Sequence, residues 1–287
     1  MMHHAARMRA DARAKVAAFG ENKERIRQEI EAEHAVKGFT PCPYVGRIAL
    51  VCIAKDEDPY IEEWIDYHFK LGVDDIFIYE HDWRCDLEQD RVRKIPFDGP
   101  AQHTFAYNDW LFIRSKGFDW VIFLDVDEFL VLKGHNCIQQ FLRWCGNIPS
   151  RVDAIAVNWM MFGDNDDAVT EGSVLERFTR RGQFPDRHIQ LIVRLNGGRM
   201  MMGPHHSYGY WIDTNGRVGY GQNNYEGTCD IIQVNHYFCK SRKEYAEKKL
   251  NQERADVIGL TRSFEEFDFY NQNEVEDLTA LNFYKRG

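Results

Sequence analysis

The chain reads as an α/β protein with a mostly parallel central sheet flanked by helices. Three stretches of its 287 residues carry that reading. A strand, a helix and a second strand follow one another between Arg47 and Glu80, an order that a right-handed crossover joins into a parallel pair. Trp120 to Leu124 (WVIFL) is apolar without a break, as a strand buried on both faces requires. A strand from Asp230 to Tyr237 then runs into a helix that opens at Ser241, repeating the strand-to-helix step.

Taken in order, residues 1–37 are charged, with few apolar anchors (Val16, Phe19, Ile26, Ile30). That pattern predicts a helical N-terminal extension over residues 1–40, peripheral to the core. Thr40-Pro41-Cys42-Pro43 interrupts it, so the main domain is expected over 41–287. Arg47 to Ala54 (RIALVCIA) is a buried strand. Asp58 and Pro59 suit a helix N-cap and first helical residue, and Ile61, Trp64, Ile65 and Phe69 recur at helical spacing up to Gly72. Asp75 to Glu80 (DIFIYE) is the second strand. A polar loop from His81 to Gln89 and a short segment to Pro96 lead to a helix from about Gln102 to Lys116. Beyond the Trp120 strand, Asp153 to Trp159 and Ile189 to Leu195 are strands, separated by a Gly-, Asp- and Asn-rich loop from Phe162 to Gly172. Asn196-Gly197-Gly198 turns the chain into Arg199 to Met202, and the helix from Ser241 is expected to reach about Val257.

Composition narrows the function. The formal charge is −9, and residues 1–47 hold 9 Lys and Arg against 6 Asp and Glu. The remaining body is therefore acidic, which argues against nucleic acid as a partner. Seven cysteines form no C-x-x-C pair, which is reduced usage with no disulfide framework or zinc site. No run of ~18 apolar residues exists and the N-terminus lacks the apolar stretch of a secretory signal. The expectation is a cytoplasmic protein without a transmembrane segment, in which peripheral membrane contact stays open.

Asp125 and Asp127 follow the Trp120 strand directly, and alternation turns both carboxylates to one side with Val126 facing the core. Like charges placed so repel unless a cation lies between them, and a divalent ion holding a phosphate meets that need. A solvated acidic turn is the competing reading. The apolar run before the motif and Phe129 to Leu132 after it favour the metal. His205 and His206, after Gly203-Pro204, and His236 at a strand end are candidate imidazole ligands for Mn²⁺ or a similar ion. Ser241 and Glu244 form a capping box, and Lys240, Arg242 and Lys243 cluster at that helix start, with Lys248 and Lys249 further on. Cations in that position suit a diphosphate. Asp164, Asp166, Asp167, Glu171 and Asp186 are candidate bases for activating a hydroxyl.

Four ordered stretches resemble a known group. They are Cys52 to Glu80, Trp120 to Leu130 (WVIFLDVDEFL), Ala156 to Gly163 (AVNWMMFG) and Val234 to Lys249 (VNHYFCKSRKEYAEKK). Together they are similar to glycosyltransferases of the GT-A type, in the family-2-like group related to family 92, once called domain of unknown function 23. The resemblance spans about residues 47–260. It implies an inverting transfer of a sugar from a nucleoside diphosphate sugar to an acceptor hydroxyl of a glycan or glycoconjugate. It further implies that Asp125 and Asp127 hold Mn²⁺ or Mg²⁺, with His205 as the metal-binding histidine and His236 as its competitor. Ala54, Lys55 and Glu57 would line the nucleotide, as would Glu80 and Asp82, while Lys240, Lys243 and Arg194 would meet the diphosphate. For the base, the acid-then-histidine order of the fold class favours Asp186 over Asp164. Gln190 stands where the family has Lys, and Asp56 where it has Asn. A nucleotidyltransferase or sugar-phosphate hydrolase on a related sheet, or a sugar-binding module without turnover, are the alternatives.

Overall fold

The computed structural model describes residues 20–35, 44–146, 148–167, 172–195, 200–250 and 259–286. The Thr40–Pro43 break, Glu171, the Asn196–Gly198 turn and the second half of the expected C-terminal helix lie outside these residues.

Within them, a helix over 20–35 (α1) precedes β1 (Ile48–Ala54), α2 (Ile61–Leu71), β2 (Asp75–Glu80) and β3 (Val92–Pro96). Next come α3 (His103–Asp109), a π-helical stretch Trp110–Arg114, β4 (Trp120–Phe123), β5 (Glu128–Leu132), α4 (Ile138–Cys145) and β6 (Val152–Met161). Then follow α5 (Val174–Arg177), β7 (Arg180–Arg181), β8 (Ile189–Arg194), β9 (Met201–Gly203), β10 (His206–Ser207), β11 (Tyr210–Ile212) and β12 (Val218–Gly219). The chain closes with β13 (Ile232–His236), α6 (Arg242–Lys248), α7 (Phe264–Tyr270), β14 (Val275–Glu276) and α8 (Thr279–Lys285).

The main sheet has the order β12-β11-β6-β8-β4-β1-β2-β3, with β13 joined to β6 and β5 joined to β13. The pairs β1–β2, β2–β3 and β1–β4 are parallel. β8 runs antiparallel to both β4 and β6. The sheet forks at one place. β4 stops at Phe123, and after a four-residue turn the chain re-enters as β5 beside β13 instead of beside β4's partners. Asp125 and Asp127 sit in that turn.

Side-chain alternation distributes the core. Ile48, Leu50, Cys52 and Ala54 of β1 enter the apolar layer under α2 and α4, and Ala49, Val51 and Ile53 enter the layer under α3. All seven residues of β1 are buried, as its uninterrupted apolar run requires. α2 ends at Gly72, whose φ of 108° is the left-handed cap that only glycine adopts cheaply.

Two boundaries differ from expectation. α2 starts two residues later than Asp58 suggests, with Tyr60 at its N-cap and no side-chain cap. The Asp58 carboxylate instead accepts a 2.9 Å hydrogen bond from the Trp83 indole, so it is not free to cap. α6 ends at Lys248, and residues 251–258 of the expected helix lie outside those described. The described part of the expected extension is docked rather than peripheral. Ile30 of α1 is fully buried, the Arg27 guanidinium donates to the Val218 carbonyl at 3.2 Å, and Glu31 accepts from the Val218 amide at 3.3 Å. No helix among the described residues is long and apolar enough to cross a membrane.

Candidate active site

A cleft of about 470 Å³ opens where β1 and β4 end, with α6 forming its far wall. Such an edge is where an open α/β sheet ordinarily binds ligands. Ile53 and Ala54 close β1, and Lys55, Asp56 and Glu57 continue into the cleft. Asp125 and Asp127 both line it, while Val126 turns into the core with 3% exposure.

The turn that aims the two carboxylates is held by Glu128. Its Oε2 accepts from the Asp125 amide at 2.9 Å and from the Gln190 side-chain amide at 2.6 Å. Burial, then the charges of Asp125 and Asp127, push the Glu128 carboxyl well above its ordinary range. A carboxyl raised in this way resists adding a third negative charge to the site. Asp125 and Asp127 go the other way. Burial alone would raise both, but His103, 3.2 Å from Asp125, outweighs it there. At Asp127 the Lys249 ammonium (2.5 Å) and His236 (3.5 Å) hold the carboxyl well below its usual range. Both remain ionised, and each has a protein cation or imidazole beside it.

Imidazoles gather on the wall formed by β6. The Trp159 indole has its centroid 4.3 Å from that of His236, 5.0 Å from His205 and 5.0 Å from His188. Burial pushes His205 down to about 3, so it is neutral, and its Nδ1 is buried without a hydrogen-bond partner. A neutral ring with an unused nitrogen is the form in which histidine binds metal.

The opposite wall is cationic. Lys240, 3% exposed, lies 4.2 Å from the Tyr60 ring, and Lys248 lies 4.5 Å from the same ring. The Tyr60 hydroxyl donates to Glu244 at 2.6 Å, and Arg177 makes a two-pronged pair with the same carboxylate. Burial would raise Glu244, but Arg177, Ser241 and Tyr60 bring it to about 2. The capping box at Ser241 is formed, with the Ser241 hydroxyl accepting from the Glu244 amide and Glu244 accepting from the Ser241 amide. Glu57 has its carboxyl raised by burial and stands 3.6 Å from Lys248.

Of the residues singled out in sequence, Ala54, Lys55, Asp56, Glu57, Asp125, Asp127, His205, His236, Lys240, Glu244, Lys248 and Lys249 line this cleft. The others sit elsewhere. Lys243 has 80% of its side chain exposed and faces Glu247 at 4.0 Å. Arg194 donates to the carbonyls of Ile148, Pro149 and Val152, at the C-terminal end of the antiparallel β8 and so at the opposite edge of the sheet. Glu80 accepts from the Cys85 amide at 2.9 Å and stays inside the fold, while Asp82 stands 3.8 Å from Lys55. Asp164 accepts from the Asp166 amide (2.9 Å) and the Asn273 side chain (3.1 Å), so it organises a turn. Asp186 stands behind the cleft wall, bound to His188 at 2.6 Å. His103, His188 and Trp159 are cleft residues that sequence reasoning missed. The D-x-H spacing of Asp186 and His188 was the available cue.

Among the described residues, no three His, Cys, Asp or Glu side chains are grouped closely enough to hold a metal ion on their own. Two carboxylates without a full protein cage are nevertheless what a hard cation shared with a phosphate takes. Neutral His205, with its unpaired buried nitrogen, completes an oxygen-and-nitrogen donor set of suitable chemistry.

No protein-family model matches the chain. A glycosyltransferase family 92 protein from Ricinus communis is 24% identical to it over 174 residues, covering 56% of this chain and 30% of that protein. A second, from Oryza sativa subsp. japonica, is 25% identical over 158 residues, covering 50% of this chain and 26% of its own length. The chain is similar to glycosyltransferases of family 92. It spans under a third of the length of the curated relatives it matches.

Proposed function

We infer that this chain carries a GT-A type catalytic unit that transfers a sugar from a nucleoside diphosphate sugar to an acceptor hydroxyl on a glycan or glycoconjugate, with inversion. The observation that carries this reading is the cleft's polarity. Ionised Asp125 and Asp127 face a lysine cluster across one opening at the sheet edge, within a chain whose net charge is −9. A leaving diphosphate with a divalent cation fits between them, since anionic and cationic walls neutralise the two halves of that pair. The similarity to family 92 glycosyltransferases supports the same reading.

In this reading Asp125 and Asp127 hold Mn²⁺ or Mg²⁺, with His205 as the neighbouring nitrogen ligand. When bound, the cation supplies neutralisation of charge developing on the leaving diphosphate. The chain's own residues do the rest. Lys240 and Lys248 are fixed over Tyr60 by the Glu244–Arg177 pair, so they meet phosphate oxygens without first losing side-chain freedom. Ala54, Lys55 and Glu57 line the nucleotide end of the cleft. Glu128, its carboxyl raised by burial and by the two aspartates, holds the carboxylate turn in register.

The test is a panel of uridine- and guanosine-diphosphate hexoses, assayed for Mn²⁺-dependent protection against thermal unfolding and for the product released. Protection by one donor together with release of nucleoside diphosphate is expected. Release of pyrophosphate would assign a nucleotidyltransferase instead, and protection with no turnover would leave a binding module.

A further inference from the structure

We propose that His188 is the general base of this reaction and that Asp186 acts only through it, as a positioning residue; the proposal rests on the glycosyltransferase reading above. The Asp186 carboxylate Oδ1 lies 2.6 Å from His188 Nδ1 and also accepts the His188 backbone amide at 2.8 Å. Burial would raise Asp186, but these contacts outweigh it and hold the carboxyl below its usual range. An ionised carboxylate has no proton to donate, so Nδ1 must carry the hydrogen of this bond. In the neutral ring Nε2 then presents its lone pair, and His188, not Asp186, is the member of the pair that lines the cleft.

The backbone fixes this arrangement. The His188 carbonyl accepts from the Trp159 amide at 3.0 Å, and the Asp186 amide donates to the Trp159 carbonyl at 2.9 Å. The Asn158 side chain donates to the Asp186 and Asn224 carbonyls at 2.9 and 2.8 Å, tying the loop to its neighbour. The imidazole packs on the Trp159 indole. A base must be held to within a fraction of an ångström, and every one of these contacts belongs to a strand or to a loop pinned on one. His188 shares the Trp159 wall with His205 and His236, and Asp125 and Asp127 line the same cleft.

The step balances as follows. His188 Nε2 takes the proton of the incoming hydroxyl, whose oxygen forms a bond to the anomeric carbon. The bond from that carbon to the diphosphate oxygen breaks and its electron pair leaves with the nucleoside diphosphate. Asp186 stays ionised and stabilises the imidazolium formed. Water can replace the acceptor, giving slow donor hydrolysis by the same transfer.

The experiment uses the full chain with Mn²⁺ and uridine- or guanosine-diphosphate hexoses, water serving as acceptor. His188→Ala should lower the rate of nucleoside diphosphate release by ~10²–10⁴-fold while leaving donor affinity within about twofold. Added imidazole should restore part of that rate in His188→Ala and none in the wild type or in Asp186→Asn. His188→Gln, which keeps volume and a polar contact to Asp186, should fold normally and remain as slow as the alanine variant. Unchanged release in either His188 variant would overturn the proposal. So would equal loss of donor binding and rate in both, or the absence of imidazole rescue in a folded His188→Ala. Wild-type protein that binds no donor would instead overturn the glycosyltransferase reading itself.

Discussion

Replacing Asp127 with Asn tests both the charge balance of the cleft and its chemistry. The Asp127 side chain is 11% exposed and receives the Lys249 ammonium at 2.5 Å, whose own side chain is 19% exposed. Removing one member of a fully buried pair costs ~3–5 kcal/mol, because the remaining charge is left uncompensated. Here the Asn oxygen still accepts a hydrogen bond and Lys249 keeps some water, so about 2–3 kcal/mol is expected. For a chain of this size that lowers the melting temperature by roughly 3–5 °C. The folded carboxyl lies below its unfolded value, so the wild-type advantage is present above about pH 4. It is lost as pH falls through the folded value. Adding Lys249→Met to Asp127→Asn removes the stranded ammonium and should recover at least half of the lost stability, with no recovery of turnover. Melting followed by circular dichroism at pH 7 without metal, with release of nucleoside diphosphate at saturating Mn²⁺, reads both effects. An Asp127→Asn protein melting within about 1 °C of wild type would refute the pairing argument. Turnover within threefold of wild type would refute the metal assignment.

Three further outcomes follow from the same geometry. Glu128 has a raised folded value, so its unfolded state ionises first and native stability falls as pH climbs above about 4.3. Glu128→Gln should therefore gain on the wild type between pH 5 and 8, and a constant difference across that range in melting scans would contradict a protonated Glu128. Lys240→Met should weaken binding of a nucleoside diphosphate by ~1.5–3 kcal/mol in calorimetry, whereas Lys243→Ala, at an 80% exposed side chain, should change it less than twofold; the reverse order would move the diphosphate to the outer face of α6. Ser241→Ala removes one half of a formed capping box and should cost ~0.5–2 kcal/mol in urea unfolding, and no measurable loss would mean that α6 is held by packing alone.

Periodicity alone was enough for much of the sheet. β2 has the bounds Asp75–Glu80 that its apolar run predicts, and Gly72 caps α2 where the helical spacing stops. Both depend on neighbours within one turn or one strand. The start of α2 was misread because Asp58, a good N-cap by type, is taken by Trp83, twenty-five positions away. Which lysines of α6 face the cleft follows from its buried side. Tyr245 is 1% exposed, so Lys248 and Lys249, three and four residues on, share its inward face, while Lys243 is turned away.

The sequence by itself determined the α/β class, the strand-helix-strand order and the D-x-D turn, since burial on both faces and helical spacing are local patterns. Tertiary structure alone decided strand direction, because a strand's two-residue period is the same whichever way it runs, and β8 proved antiparallel to both neighbours. It also decided the site's composition. His103 on α3, Trp159 on β6, His188 before β8 and Lys249 after α6 are scattered over almost 150 residues and meet only when the sheet closes. Their chemistry comes from charges and rings brought within a few ångströms of Asp125 and Asp127, a relation that sequence spacing does not encode.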